Sequence, residues 1–136
     1  MTPSAAALLG FVAWTILLVV LLAAFRISLV SAGKTSAAGF SPNGEDVEGF
    51  GRRLTRAHAN CYENLPLVGA VLLYAIATDQ TAITDGLAMA FLSARLLQSL
   101  THLISTVRPA VTIRFAFYVV QILILAFWIL KLTHLI

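Results

Sequence analysis

From Ala5 to Phe25 the chain runs 21 residues without a charged side chain. A helix rising about 1.5 Å per residue needs roughly 20 such residues to cross a hydrocarbon core about 30 Å thick. In that solvent only a helix or a closed barrel satisfies its own backbone, so this stretch reads as a membrane-crossing helix. Pro3 and Ser4 suit its start, and the span is expected at about residues 4–30. Arg26 lies near the far end, where its side chain reaches toward the interface. Val30-Ser31-Ala32 resembles a cleavage site. No basic segment precedes the apolar run, however, and the run is too long for a secretory signal, so it reads as a retained span.

The remainder follows the same logic. The chain has 136 residues, 60% hydrophobic and only 11% charged, where soluble domains carry about 25% charged residues. That length holds four spans with short loops and leaves no room for a second domain. The expected fold is an all-α integral membrane protein, a single four-transmembrane-helix bundle over residues 1–136 with further spans at about 50–78, 86–106 and 110–132. Residues 33–51 hold five of the eight glycines and Pro42-Asn43-Gly44, and read as a loop. Glu45, Asp46 and Glu48 complement the positive end of the helix that follows. That second helix, at about 40 Å, should protrude from the membrane on its loop side, and Pro66 is positioned to kink it. Asp79 to Asp85 reads as a short acidic connection, and Arg108-Pro109 as the turn before span four. Cys61 is the only cysteine, which excludes an internal disulfide. The net charge of +3 comes from scattered juxtamembrane cations. This pattern fits membrane orientation and a small anionic ligand, not nucleic acid.

Polar residues inside the spans are the candidates for function. Arg56, Asn60 and Glu63 fall at i, i+4 and i+7 and share one face of span two; Arg114, Tyr118 and Gln121 repeat that spacing in span four. Span three carries Arg95, Gln98, Ser99 and His102. Glu63 and Arg95 are expected at similar depth, and a lone charge there costs at least about 2.5–3.5 kcal/mol, so an ion pair between them is expected. Such a pair either only fixes helix packing or also leaves Glu63 to hold a ligand amine. Lys34, Arg52, Arg53, Arg56, Arg108 and Arg114 form a cationic rim on one side. Arg52, Arg53 and Arg108 read first as topology and headgroup signals. Arg56 and Arg114, each above deeper polar residues, suit a carboxylate held by paired hydrogen bonds. His58 and His102 lack the convergent ligands a metal needs, and Cys61 has no acid–base partner to make it a nucleophile. The positive-inside rule places the first and third loops in the cytoplasm and both termini on the opposite side.

Arg56-Ala57-His58-Ala59-Asn60, followed by Glu63-Asn64 and Pro66, resembles the second-helix signature of the membrane-associated proteins in eicosanoid and glutathione metabolism, the MAPEG family. Ala94-Arg95-Leu96 in span three and Arg114 in span four fit the same pattern, so the resemblance covers all four spans. It implies a homotrimer with glutathione bound between neighbouring subunits toward the cytoplasm. Arg56, Asn60 and Glu63 would hold glutathione, with Glu63 on its amino group and Arg56 on a carboxylate or backbone group. Lys34 matches a basic residue at the end of span one. Arg95, Gln98, His102 and Tyr118 complete the expected glutathione contacts. Arg114 matches the arginine that stabilises the thiolate, with Arg108 as its rival. Enzymes of the family often carry tyrosines on span three, where this chain has Gln98 and His102.

The implied activity is that of a glutathione transferase or peroxidase. A free thiol titrates near ~8.5, and a guanidinium in a partly desolvated site favours its thiolate. The thiolate then attacks an apolar electrophile, or reduces a lipid hydroperoxide, supplied from the bilayer. Glutathione is thus the bound co-substrate, and no metal is required. The alternatives are a non-catalytic lipid-binding or scaffold protein of the same fold and a small four-span transporter. Small proton-coupled exporters carry their glutamate in span one, and span one here has no acid. The compact loops fit a bacterial inner membrane, with the endoplasmic reticulum as the other setting.

Overall fold

A computed structural model describes the whole chain, Met1–Ile136. Four helices follow one another: α1 (Pro3–Ser31), α2 (Phe50–Ala77), α3 (Thr81–Ile104) and α4 (Arg108–Leu132). The Thr2 hydroxyl accepts from the Ala5 N–H to cap α1, and Pro3 occupies its first turn, where no N–H is needed. At the other end Lys34 N–H bonds the Leu29 carbonyl and Gly33 N–H bonds that of Val30. This closing motif needs a left-handed residue, supplied by Gly33 at φ 67°. Helices α2 and α4 end with the same pair of bonds, but there Asp79 and His134 take the positive φ.

Two boundaries differ from the sequence expectation. Helix α3 begins at Thr81, five residues before the expected Gly86. The acidic residues that seemed to mark a connection include Asp85, whose carboxylate accepts from the Ser4 N–H at 2.9 Å and the Ser4 hydroxyl at 2.6 Å. A satisfied carboxylate near a positive helix end favours the helix. Arg108-Pro109 likewise starts α4 instead of forming a turn before it, because Pro is well placed in a first helical turn. Helix α2 continues through Pro66 without interruption.

Helix α1 lies against α2 and α3, and α4 lies against α3 with a smaller contact on α2; the backbones of α1 and α4 do not come close. The packing follows a seven-residue repeat. Ser4, Phe11 and Leu18 of α1 are buried, as are Leu54, Cys61, Val68 and Ala75 of α2. That spacing keeps one stripe facing the neighbour over the length of a helix. Phe11, Phe91 and Trp128 link three helices through the core, with ring centroids 6.4 Å and 5.7 Å apart. The outside is apolar: Leu9, Ile16, Val20, Leu67, Leu73, Phe115 and Leu123 are exposed. A surface like this needs lipid as its solvent. Helices α1, α3 and α4 are long and apolar enough to cross a membrane, with mean hydropathies of 2.7, 1.3 and 2.2. Helix α2 is long enough, but its first half carries the polar residues of the site.

Candidate functional site

The start of α2, the end of α3 and the start of α4 meet at one end of the bundle around a cleft of about 580 Å³. Its lining has no apolar side chain. Loop one contributes Glu48 and Gly49, α2 contributes Arg52, Arg53 and Arg56, the end of α3 contributes His102, the connection after it contributes Thr106, and α4 contributes Arg114. Four guanidiniums therefore face one carboxylate.

The carbonyls that close α3 explain why cations gather here. Arg53 Nε donates to the Leu103 carbonyl at 2.8 Å, and Arg114 Nη1 donates to that of Ser105 at 3.2 Å. The last carbonyls of a helix lack partners inside it and carry its negative dipole end, so arginines are good partners for them. Arg114 Nη1 also lies 3.3 Å from His102 Nδ1. Arg52 and Arg56 are exposed and make no side-chain hydrogen bond within the chain. A polar cleft with two oriented and two free guanidiniums can bind a small ligand carrying more than one negative charge.

Below the cleft, a polar seam runs between α2, α3 and α4. Arg95 is only 1% exposed, and its Nη1 donates to Asn60 Oδ1 at 2.6 Å. Its guanidinium also lies over the Phe11 ring, 5.2 Å from the centroid. Cys61 Sγ and Ser99 Oγ are 3.2 Å apart, and Gln121 Nε2 donates to Gln98 Oε1 at 2.9 Å. The expected Glu63–Arg95 ion pair does not form. Residues 61 and 64 point into the bundle, whereas Glu63 is exposed on its outside. Two residues of helix turn Glu63 by about 200° from the Cys61 direction. The neutral amide of Asn60 is the acceptor that Arg95 meets instead.

Of the expected site residues, Arg56, His102 and Arg114 come together in the cleft. Asn60 and Arg95 lie deeper and bond each other, and Gln98 is buried against Gln121. Tyr118 is exposed one turn beyond Arg114, and Lys34 is exposed in loop one outside the cleft lining. Arg108, the rival to Arg114, is exposed and does not line the cleft. Glu48 and Thr106 line it without having been singled out. Glu48 precedes a helix start, where an acid is commonplace, so the sequence offered no signal for a second role.

The MAPEG family matches residues 4–133, nearly the whole chain. The chain belongs to the MAPEG family. No curated protein and no solved structure matches it. As a MAPEG protein it is a helical bundle embedded in a membrane, in a family whose functions centre on glutathione. Arg56 lines the cationic cleft, and Asn60 and Glu63 continue the same face of α2 away from it.

Proposed function

We propose that the protein is a glutathione-dependent membrane transferase or peroxidase that binds glutathione in the cationic cleft and stabilises its thiolate with Arg114. The observation that carries this reading is the convergence of Arg52, Arg53, Arg56 and Arg114 on a polar cleft of about 580 Å³ at one end of a membrane bundle. Glutathione brings two carboxylates, which suit the free guanidiniums of Arg52 and Arg56. Arg114 is held by the Ser105 carbonyl, so its charge is oriented before the ligand arrives. A fixed cation at a developing or resident thiolate requires little reorganisation during reaction. The apolar electrophile or hydroperoxide would then arrive through the lipid-facing side of the bundle.

The site reads as incomplete within one subunit. Glu63 is exposed midway along α2, in a bundle whose other three helices are apolar enough to cross a membrane, and it has no ion partner in the chain. A lone charge at that depth costs at least about 2.5–3.5 kcal/mol. A second copy covering the Arg56–Asn60–Glu63 face removes that cost and brings Glu63 to a shared site, where it can hold the amino group. This is the basis for proposing a homotrimer. The uneven distribution of lysine and arginine favours an orientation with the cleft toward the cytoplasm.

A silent binder of the same fold is the second reading. It is favoured by Gln98, whose amide is buried and bonded to Gln121, so this position offers the cleft no hydroxyl. Thiolate absorbance near the ultraviolet edge, followed as glutathione is added to detergent-purified protein, separates the two. A saturating signal that Arg114→Ala lacks supports the enzyme. Binding without any thiolate signal supports the silent binder, and absence of binding defeats the glutathione reading and leaves a non-catalytic lipid-binding or scaffold protein of the same fold.

A further inference from the structure

Arg114 is held by more than a backbone carbonyl. It lies half-buried in the second turn of α4, and both of its partners stand at the end of α3. Nη1 donates to the Ser105 carbonyl at 3.2 Å and lies 3.3 Å from His102 Nδ1. A guanidinium has donors and no acceptor, so in this pair His102 Nδ1 accepts. It therefore carries no proton, and the one proton of the neutral ring is on Nε2. A charged ring would set N–H against N–H at this contact.

On the reading that Arg114 stabilises the thiolate, we propose that His102 is its positioning residue: a neutral imidazole, protonated at Nε2, whose Nδ1 fixes the plane of the guanidinium. The family resemblance places His102 among the contacts of glutathione itself. The geometry gives it a role through Arg114 instead.

The division of donors supports this first. Nη1 carries two of the five N–H groups of a guanidinium, and the two acceptors at the end of α3 match them. Nε and Nη2 have no acceptor within the chain. Together they form an edge that can donate two parallel bonds, on a residue that lines the cleft. One nitrogen thus anchors the group, and the edge away from it stays free for an anion.

The kind of acceptor supports it next. With the Ser105 carbonyl alone, the guanidinium could swivel about a single bond at the tip of a long side chain. A second acceptor on another residue removes that freedom. Arg114 also shares the cleft with Arg52, Arg53 and Arg56, whose charges repel it. A carboxylate in the place of His102 would hold it against them, but would also offset the positive charge that a thiolate needs. A neutral imidazole holds the group and leaves its charge intact.

The test joins a spectroscopic signature to a rescue. Nitrogen NMR of the full-length protein in detergent, with isotopically labelled histidine, should show His102 with a bare Nδ1 and a protonated Nε2. The chain has three histidines, and the signals lost in His58→Gln and in His134→Gln identify the third set as that of His102. A protonated Nδ1, in the other tautomer or in a charged ring, overturns the proposal with His102 itself unaltered. In turnover, His102→Phe should lower kcat with a test electrophile about tenfold, with a matching loss of thiolate absorbance at saturating glutathione. KM for glutathione should stay within about twofold, because the guanidinium remains and loses only its set orientation. Asn carries its carbonyl oxygen as far from Cβ as Nδ1 lies, whereas Gln carries its amide where Nε2 stands. His102→Asn should therefore recover most of kcat and His102→Gln little. The reverse order is that of a direct Nε2–H contact to glutathione, and it overturns the proposal. In an Arg114→Ala background, His102→Phe should cost less than about twofold more. A full tenfold loss there means that His102 acts independently, which also overturns it. A wild type without a thiolate signal, or a signal that persists in Arg114→Ala, defeats the thiolate role of Arg114 and this role with it. A signal that needs Arg114 but survives His102→Phe defeats the role of His102 alone.

Discussion

The two ends of this bundle are built from the same helices and treated in opposite ways. At the end formed by the start of α1 and the start of α3, polar groups find each other. Ser4 donates to Asp85 through both its backbone and its hydroxyl, and its Oγ also lies 2.6 Å from Thr84 Oγ1. Ser4 and Thr84 are completely buried. At the opposite end, four arginines line an open cleft, and only Arg53 and Arg114 are tied to backbone carbonyls. One end spends its polar groups on closing the bundle. The other keeps guanidiniums available in a place where they repel one another, which is a poor arrangement for stability and a good one for an anionic ligand.

The largest effect that would separate the ends is on chemistry. Arg114→Ala should lower kcat with a test electrophile by about 10²–10³, the loss typical of removing one preorganised charge-stabilising donor. Glutathione affinity should fall only a few-fold, because Arg52 and Arg56 remain. Stopped-flow turnover together with calorimetric binding reads the split. A turnover rate unchanged by Arg114→Ala would remove Arg114 from the mechanism and reopen the role of Arg108.

Changes that act through packing should show the reverse. Ser4→Ala removes the hydroxyl bonds to Thr84 and Asp85, while Thr84 keeps the Thr81 carbonyl and Asp85 keeps the Ser4 N–H, so the cost is about 0.5–1.5 kcal/mol. Thermal unfolding in detergent should register this while turnover of the folded protein stays within twofold. Gly51→Ala is the matching test at the open end. A Cβ there would collide with the Phe25 ring and crowd Val47. Overpacking of this kind costs about 1–3 kcal/mol, and because Gly51 precedes Arg52 and Arg53 directly, ligand affinity should fall along with stability. Loss of stability alone in Gly51→Ala would mean that the register of α2 does not govern the cleft.

The difference between the ends was only partly legible in the sequence. Apolar run length was enough to place α1 and α4, and the spacing of Arg56, Asn60 and Glu63 marked a polar face. What decides the start of α3 is the bond between Asp85 and Ser4, 81 positions apart, and no local pattern reports such a partner. Arg95 raised a similar difficulty. Its charge and depth pointed to Glu63, but the rotation of α2 in the packed bundle offers Asn60 instead. Depth along a helix is a one-dimensional property that can be counted from residue numbers, whereas rotation follows from which stripe packs best. The convergence of Arg53 and Arg114 on the last turn of α3 was hidden for the same reason, since backbone carbonyls carry no residue type to read.

The smallest effect tests the open end most directly. Arg52 is exposed, lines the cleft and makes no hydrogen bond within the chain. Arg52→Gln should therefore leave thermal stability unchanged, or raise it slightly by relieving repulsion from Arg53 and Arg56. Exposed ion pairs contribute about 0.2–1 kcal/mol, so glutathione affinity should fall about two- to fivefold. Because the lost contact is solvent-screened, the gap between wild type and variant should narrow as salt rises, since the Debye length shrinks from about 10 Å at 0.1 M to about 3 Å at 1 M. Calorimetric titrations at low and high salt measure this. A stability loss in Arg52→Gln would show that the arginine belongs to the packing of the bundle, and the contrast between a closed end and an open one would then fail at that residue.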